Sequence, residues 1–207
     1  MINSNLQHHS FFRPADRISS FKPYFFAALA KKIAVLQNNG VNVIRIDMGS
    51  PDLPPEKFII DTLVENAYKP NMHGYSANGG GPAFRNAISS YYKSRFNVDL
   101  EPMTETIGLI GSKEGLFHLS QILINPGDVV LVPDPGYPVY SASTRIAGGE
   151  VYRMPLLKEN NFLPDLSAIP ENIAKRAKLL WINYPNNPTG AVATKKFFEE
   201  VIEFGKK

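Results

Sequence analysis

The sequence predicts an α/β fold, a three-layer sandwich in which helices cover both faces of a mostly parallel sheet, preceded by an N-terminal helical arm. Three observations carry that prediction. From residue 106 onward, short apolar runs alternate with longer amphipathic stretches in the order strand, turn, helix. The breaks after the apolar runs are built from Gly, Pro, Asn and Asp, as in "PDPGYPVY" and "NYPNNPTGA". Finally, 207 residues at 43% hydrophobic content supply enough apolar surface for one generous domain, or for one domain plus an appendage.

The elements follow in order. Ser19-Ser20 with Pro23 in the first turn predicts a capped helix running to about Gln37, with Gly40 placed to stop it. Val43 to Met48 alternates apolar and polar residues like a short strand, which "GSPDLPP" breaks. A second helix is expected from Pro55 to Tyr68. After "HGYSANGGG", Pro82 opens a third, reaching about Arg95. Strands are then expected at 106–110, 128–133, 150–154 and 178–184, with helices at 112–124, 137–147 and 194–207 between and after them.

Composition narrows the function classes. The net charge of +3 arises from 22 basic and 19 acidic residues scattered without a long like-charged run, so neither nucleic acid nor an anionic membrane is the expected partner. Cysteine is absent, which excludes disulfides, thiolate nucleophiles and Cys-ligated zinc and fits a reducing compartment; cytoplasm is the expected location. The polar start of the chain has no apolar segment of signal-peptide type, and the run Phe25–Ala30 is cut short by Lys31 and Lys32.

Three loops carry candidate chemistry. Gly111-Ser112-Lys113-Glu114-Gly115 joins an expected strand to a helix, and a helix N-terminus offers free N–H groups and positive dipole to a phosphate. The plain alternative is that Ser112 only caps the helix. Tyr137 stands between prolines after the next strand, with little freedom, as a packed surface aromatic or as a platform for a planar ligand. Asn187 precedes Pro188 after the last strand, in an ordinary turn or as a rigidly aimed amide donor. In a parallel sheet all three loops belong to the carboxyl edge, where ligands of open α/β sheets collect. An anion cradle, an aromatic face and an amide donor together describe a site for a flat phosphorylated heterocycle.

The ordered segments "IDMGSPDLPP", "GYSANGGGPAFRNAI", "GSKEGL", "PGDVVLVPDPGYPVY" and "NYPNNPTGA" resemble the landmarks of the class I/II aminotransferases, fold-type I enzymes dependent on pyridoxal 5'-phosphate, from about residue 20 to the end. The N-terminal third is most similar to the diaminopimelate and aspartate/alanine-type branches. The resemblance implies that Ser112 and Lys113 line a phosphate cup, that Tyr137 stacks on the pyridine ring and that Asn187 donates to its phenolate oxygen. It further implies that Gly49 leaves room for a substrate carboxylate and that Tyr75 reaches the coenzyme phosphate of a neighbouring subunit, hence a homodimer. Residues 1–54 would form the arm and the start of a small domain, and residues 55–207 the first half of the coenzyme-binding domain.

The departure from the family pattern is equally definite. The lysine that forms the Schiff base, the aspartate that holds the ring nitrogen protonated and the arginine that clamps the substrate carboxylate all follow "NNPTG" in such enzymes, and this chain ends first. Lys113 is no substitute, being expected at the phosphate end, and Lys195 and Lys196 are expected on the exposed face of the last helix. The implied activity is amino-group transfer between an amino acid and a 2-oxo acid. Two alternatives stand beside it: a carbon–sulfur lyase or other eliminating enzyme of the same fold, and a truncated or split product that is not catalytic alone. No metal is expected from His8-His9, His73 or His118, and Asp47 and Asp52 read as turn-formers.

Overall fold

The computed structural model describes residues 13–21 and 23–207. They fall into two compact units, one of residues 23–108 and one of residues 13–21 together with 109–207.

The first unit is helical. It contains α1 (Phe25–Asn38), α2 (Lys57–Ala67) and α3 (Pro82–Phe96). Proline opens α3, where its missing N–H costs nothing, and Asn97 in the left-handed region at φ 54° closes it by donating to Lys93 and Tyr92. The expected cap of α1 is corrected: Ser19-Ser20 belong to a separate 3-10 turn over Asp16–Ser20, where the Ser19 hydroxyl donates to the Asp16 carbonyl at 2.7 Å. The expected strand at 43–48 is absent, and its Ile44 and Ile46 lie in the open. Alternation alone does not make a strand, because its N–H and C=O groups need a lateral partner.

The second unit is the α/β layer. It comprises α4 (Ser112–Leu123), β1 (Val129–Asp134), α5 (Pro138–Ile146), β2 (Glu150–Pro155), α6 (Glu171–Ala174), β3 (Ala177–Leu180) and α7 (Lys195–Gly205). The sheet has three parallel strands in the order β2-β1-β3. Central β1 is buried from Val129 to Pro133, the near-continuous apolar run of a strand covered on both faces. On one face Val130 and Val132 pack with Val139, Tyr140 and Trp181, flanked by Leu116 and Phe117 of α4. On the other, Val129 and Leu131 pack with Met154 and Ile169, flanked by Ile173 of α6 and Phe204 of α7. Helices, sheet, helices are the three layers.

Two expectations change here. Residues 106–110 form no strand; Ile107 and Ile110 are exposed, and the described residues offer them no neighbouring strand to pair with. The strand expected at 178–184 ends at Leu180, because after Trp181 donates to Leu131 O at 2.9 Å the chain turns away from the ladder. The four-residue α6 was not foreseen, though Pro170-Glu171 is an opening signal of the usual kind.

The strand order sets where a crevice is expected. The loop leaving β1 leads to α5 on the first face, whereas the loop leaving its neighbour β3 leads to α7, whose Phe204 packs on the second. Adjacent parallel strands whose following loops part in opposite directions leave a gap at their carboxyl ends, the position where open α/β sheets bind ligands.

Candidate functional site

Tyr137 lies on the loop after β1 and Asn187 on the loop after β3, two adjacent parallel strands, and α4 brings Lys113 beside the Tyr137 ring. Ser120 of α4 and Ser143 of α5 are both fully buried, and their hydroxyls meet at 2.8 Å. One end of the pair is marked by that contact and the other by Lys113, whose Nζ lies 5.8 Å from the Tyr137 ring centroid. Residue numbers rise together on both helices, so α4 and α5 run in the same direction and their N-termini lie side by side.

The N-terminus of α4 is suited to an anion. Gly111, at φ 79° and ψ 150°, is the residue before the helix, and a side chain there would be strained although the space around it is open. Ser112 is therefore the first helical residue and not the cap; no side chain caps this helix. Glu114 instead reaches back, accepting the N–H of Ile110 at 2.6 Å. The opening N–H groups of a helix lack the carbonyl four residues back that later ones use; here the Glu114 N–H donates to Gly111 O at 3.2 Å, and Gly111 supplies no capping side chain.

A line of aromatic contacts ties this helix to the strand beyond. Tyr137 meets Tyr140 edge-on at 5.9 Å, and Tyr140 stacks on Trp181 at 5.0 Å and 18°. Burial pushes the Tyr140 phenol above its ordinary range, with neighbouring Tyr137 adding to the effect, so it stays neutral. Sequence reasoning missed Tyr140 and Trp181. The signals were the i, i+3 spacing from Tyr137 on one helix face and a lone tryptophan inside an apolar strand.

The Asn187 loop is held by its own groups. The Asn183 carboxamide oxygen accepts the Asn187 N–H at 3.0 Å. Asn186, buried, donates its side chain to Thr189 Oγ1 at 2.8 Å and its N–H to Ala191 O at 2.8 Å, while Gly190 donates to Asn186 O at 2.7 Å. The peptide bonds before Pro185 and Pro188 are both cis. Tyr184 anchors the loop from below through a hydroxyl donated to Phe162 O at 2.9 Å, and burial pushes its phenol up to about 12. The crowding of restricted residues has a use: the N–H groups of Asn186, Asn187, Gly190 and Ala191 are all bonded within the loop, while the Asn187 side chain is exposed and without a hydrogen bond among the described residues.

The other candidates are placed as follows. Gly49 and Tyr75 belong to the helical unit, Gly49 with open space around its Cα and Tyr75 fully exposed. Asp47 is held by two hydrogen bonds from Arg45 at 2.9 and 3.0 Å, which keep its carboxyl below the usual range. Lys195 and Lys196 pair with Glu199 and Glu200 on the exposed side of α7. His118 stands 3.9 Å from Glu114, and His8-His9 lie outside the described residues. Among the described residues no group of three or more His, Asp or Glu side chains could hold a metal, and no helix is long and apolar enough to cross a membrane. A trough of about 1490 Å³ opens on the second face of the sheet, but Ser112, Tyr137 and Asn187 do not line it.

The donor set fits a phosphorylated pyridine: N–H groups with adjacent hydroxyl and ammonium for the phosphate, a half-buried phenol ring for the plane, and an uncommitted amide for a ring oxygen.

Comparison with known proteins is consistent. The chain is 53% identical over 192 residues to an LL-diaminopimelate aminotransferase of Moorella thermoacetica, and 49% identical over 193 residues to one of Halothermothrix orenii. Each alignment covers 93% of this chain but 49% and 50% of the relative, so the chain spans about half the length of the curated relatives it matches. Among solved structures, apo-BacF of Bacillus subtilis superposes with a TM-score of 0.88 at 38% identity, over 94% of this chain and 50% of that one. The model of the family described as aminotransferase class I and II matches residues 28–207, and on that match, with a superposable fold, the chain belongs to the class I and II aminotransferases.

Proposed function

We propose that this chain forms the coenzyme-cradling half of a pyridoxal-phosphate-dependent aminotransferase that moves an amino group between an amino acid and a 2-oxo acid. Eight relatives of 47–53% identity all bear the name LL-diaminopimelate aminotransferase, which makes that diamino acid the proposed amino donor. What supports the reading is that Lys113 at the α4 N-terminus lies beside the Tyr137 ring and that the Tyr137 and Asn187 loops leave the carboxyl ends of adjacent parallel strands.

When bound, the coenzyme supplies an electron sink for the pair of electrons left on the substrate α-carbon. The residues of this chain hold and orient it. The first-turn N–H groups of α4 with the Ser112 hydroxyl and the Lys113 ammonium balance the phosphate charge, anchoring one end. The Tyr137 ring keeps the heterocycle flat against the sheet edge. Asn187 donates a neutral hydrogen bond to the ring oxygen, favouring its ionised form without a proton of its own to lose. Gly49 leaves main chain open to the substrate carboxylate, and Tyr75 reaches the phosphate held by a second copy, so the working protein is a homodimer. Its expected location is the cytoplasm.

The test uses the chain completed with the carboxyl-terminal half of a relative. Coenzyme binding is followed by quenching of Trp181, the single tryptophan of this chain, with any tryptophan of the added half replaced by phenylalanine. Asn187→Ala and Tyr137→Ala are each expected to weaken binding at least about tenfold, equivalent to about 1.4 kcal/mol, while Lys195→Ala leaves it unchanged. Equal affinity for all three variants overturns the site. Product analysis with LL-diaminopimelate and a 2-oxo acid tests the reaction: eliminated fragments in place of a new amino acid overturn the transfer.

A further inference from the structure

We propose that Arg85 is a positioning residue: its guanidinium fixes the glycine loop that follows Tyr75 and thereby sets where Tyr75 is presented to the neighbouring subunit's coenzyme. The inference rests on the reading of Tyr75 just given.

Arg85 lies in the first turn of α3, and its side chain folds back over the preceding loop. Nε donates to Gly79 O at 3.0 Å and Gly80 O at 3.1 Å, one terminal nitrogen to Asn78 O at 3.0 Å, and the other to Met103 O at 2.7 Å. A guanidinium near a surface ordinarily meets a carboxylate or water. Here its donor fork is spent on four main-chain carbonyls, three of them from consecutive residues. The backbone completes the seat, with Gly108 N–H donating to Gly79 O at 2.7 Å and Gly80 N–H to Ala77 O at 3.0 Å.

The loop is shaped to receive that side chain. Gly79 and Gly80 stand at φ 73° and 93°, and a Cβ on Gly79 would overlap the guanidinium itself. At Gly108 a Cβ would crowd Phe84 at 3.1 Å and the Gly79 carbonyl oxygen at 3.3 Å. Three glycines in a row are the most mobile backbone a chain can have, an unsuitable mounting for a side chain that must meet one phosphate oxygen. The planar cation removes that mobility, since each carbonyl must face it. Tyr75, wholly exposed, stands three residues before Asn78, the first of the residues held in this way. Lysine cannot replace arginine: one ammonium on a flexible stem does not span carbonyls from residues 78–80 and 103 together.

The experiment compares Arg85→Lys, Tyr75→Phe and the double variant. In the chain itself, amide hydrogen exchange at Gly80 and Gly108 is expected to speed up at least tenfold in Arg85→Lys, with the amides of residues 89–93 in α3 unchanged. Should the α3 amides also lose protection, Arg85→Gln is read by the same criterion. In the chain completed as above, coenzyme release after dilution into a scavenger is expected to accelerate in each single variant, with the double no faster than Tyr75→Phe. Unchanged exchange at Gly80 and Gly108 overturns the clamp, and additive release rates overturn action through Tyr75. A Tyr75→Phe protein that releases coenzyme at the wild-type rate removes the premise, and the exchange result then shows that the Tyr75 reading failed and not the seat.

Discussion

Replacing Ser143 by alanine is expected to destabilise the α/β unit more than replacing Ser120, although the two hydroxyls share one hydrogen bond. Both are fully buried and lie 2.8 Å apart between α4 and α5. Ser143 has a second acceptor, the Tyr140 carbonyl at 3.3 Å, whereas Ser120 has Ser143 as its side-chain partner. Removing Ser120 therefore leaves Ser143 bonded and costs about 0.5–1.5 kcal/mol, the net worth of one hydrogen bond. Removing Ser143 strands a buried hydroxyl, with a penalty of about 1–3 kcal/mol. The double alanine variant has no stranded group and gains helix propensity at both positions, so its cost falls below that of Ser143→Ala. Urea unfolding followed by Trp181 emission reads the difference; with a slope of about 2 kcal/mol/M, a 2 kcal/mol loss lowers the midpoint by about 1 M. A double variant as costly as the two singles summed, or Ser120→Ala costlier than Ser143→Ala, refutes the reasoning.

Tyr184→Phe removes the bond to Phe162 O and is expected to cost about 0.5–1.5 kcal/mol at neutral pH. Its pH dependence has a definite sign: the folded phenol titrates at about 12 against about 10 unfolded, so the neutral form is favoured by folding and that stability is present below pH 10 and lost as pH rises towards 12. Denaturant midpoints across pH 9–12 should fall less steeply in Tyr184→Phe than in the wild type, and parallel curves would contradict this. Trp181→Phe keeps an aromatic ring on Tyr140 and deletes an indole N–H that is buried without an acceptor among the described residues. Its cost in a thermal melt should stay below about 1.5 kcal/mol, well under the 3–5 kcal/mol of truncating a large aromatic to alanine. Lys195→Ala and Lys196→Ala break exposed i, i+4 pairs on α7 and should change urea stability by no more than about 0.5 kcal/mol.

Which parts of this structure could be read from the sequence depended on how local their causes are. β1, α5, β2 and α7 lie within a residue or two of their expected bounds, because apolar period, Pro-Val-Tyr at a helix start and Thr194 as a cap act within a few residues. Residues 43–48 have the alternation of a strand and residues 106–110 the short apolar run of one, yet neither is a strand, since a ladder partner is a distant fact that neither pattern contains. The site follows the same division. Parallel topology alone sends the loops of Tyr137 and Asn187 to one edge, which the order of elements already states. The Tyr140–Trp181 stack, the Ser120–Ser143 bond and the Arg85–Met103 bond join residues far apart in sequence, and even within "GYSANGGGPAFRNAI" the order of residues does not say that the arginine folds back onto the glycine carbonyls.

The two walls of the crevice are held by different means, and this has a mechanical consequence. On the side of Ser112 and Tyr137, position derives from long-range packing: α4 is keyed to α5 by buried serines, and Tyr137 leans on Tyr140, which leans on Trp181. Any change that shifts α5 must carry Ser112 and Tyr137 along together. On the side of Asn187, position derives from bonds inside residues 183–191, with Tyr184 fastened to Phe162 and packed edge-on against Phe197 of α7. A core substitution on the first face should therefore displace the phosphate end and the stacking platform as one body while leaving the amide donor in place. Loosening the Asn187 loop should do the reverse. Coenzyme affinity would suffer in both cases, but through separate contacts, so variants on opposite walls are expected to combine additively and variants within one wall are not.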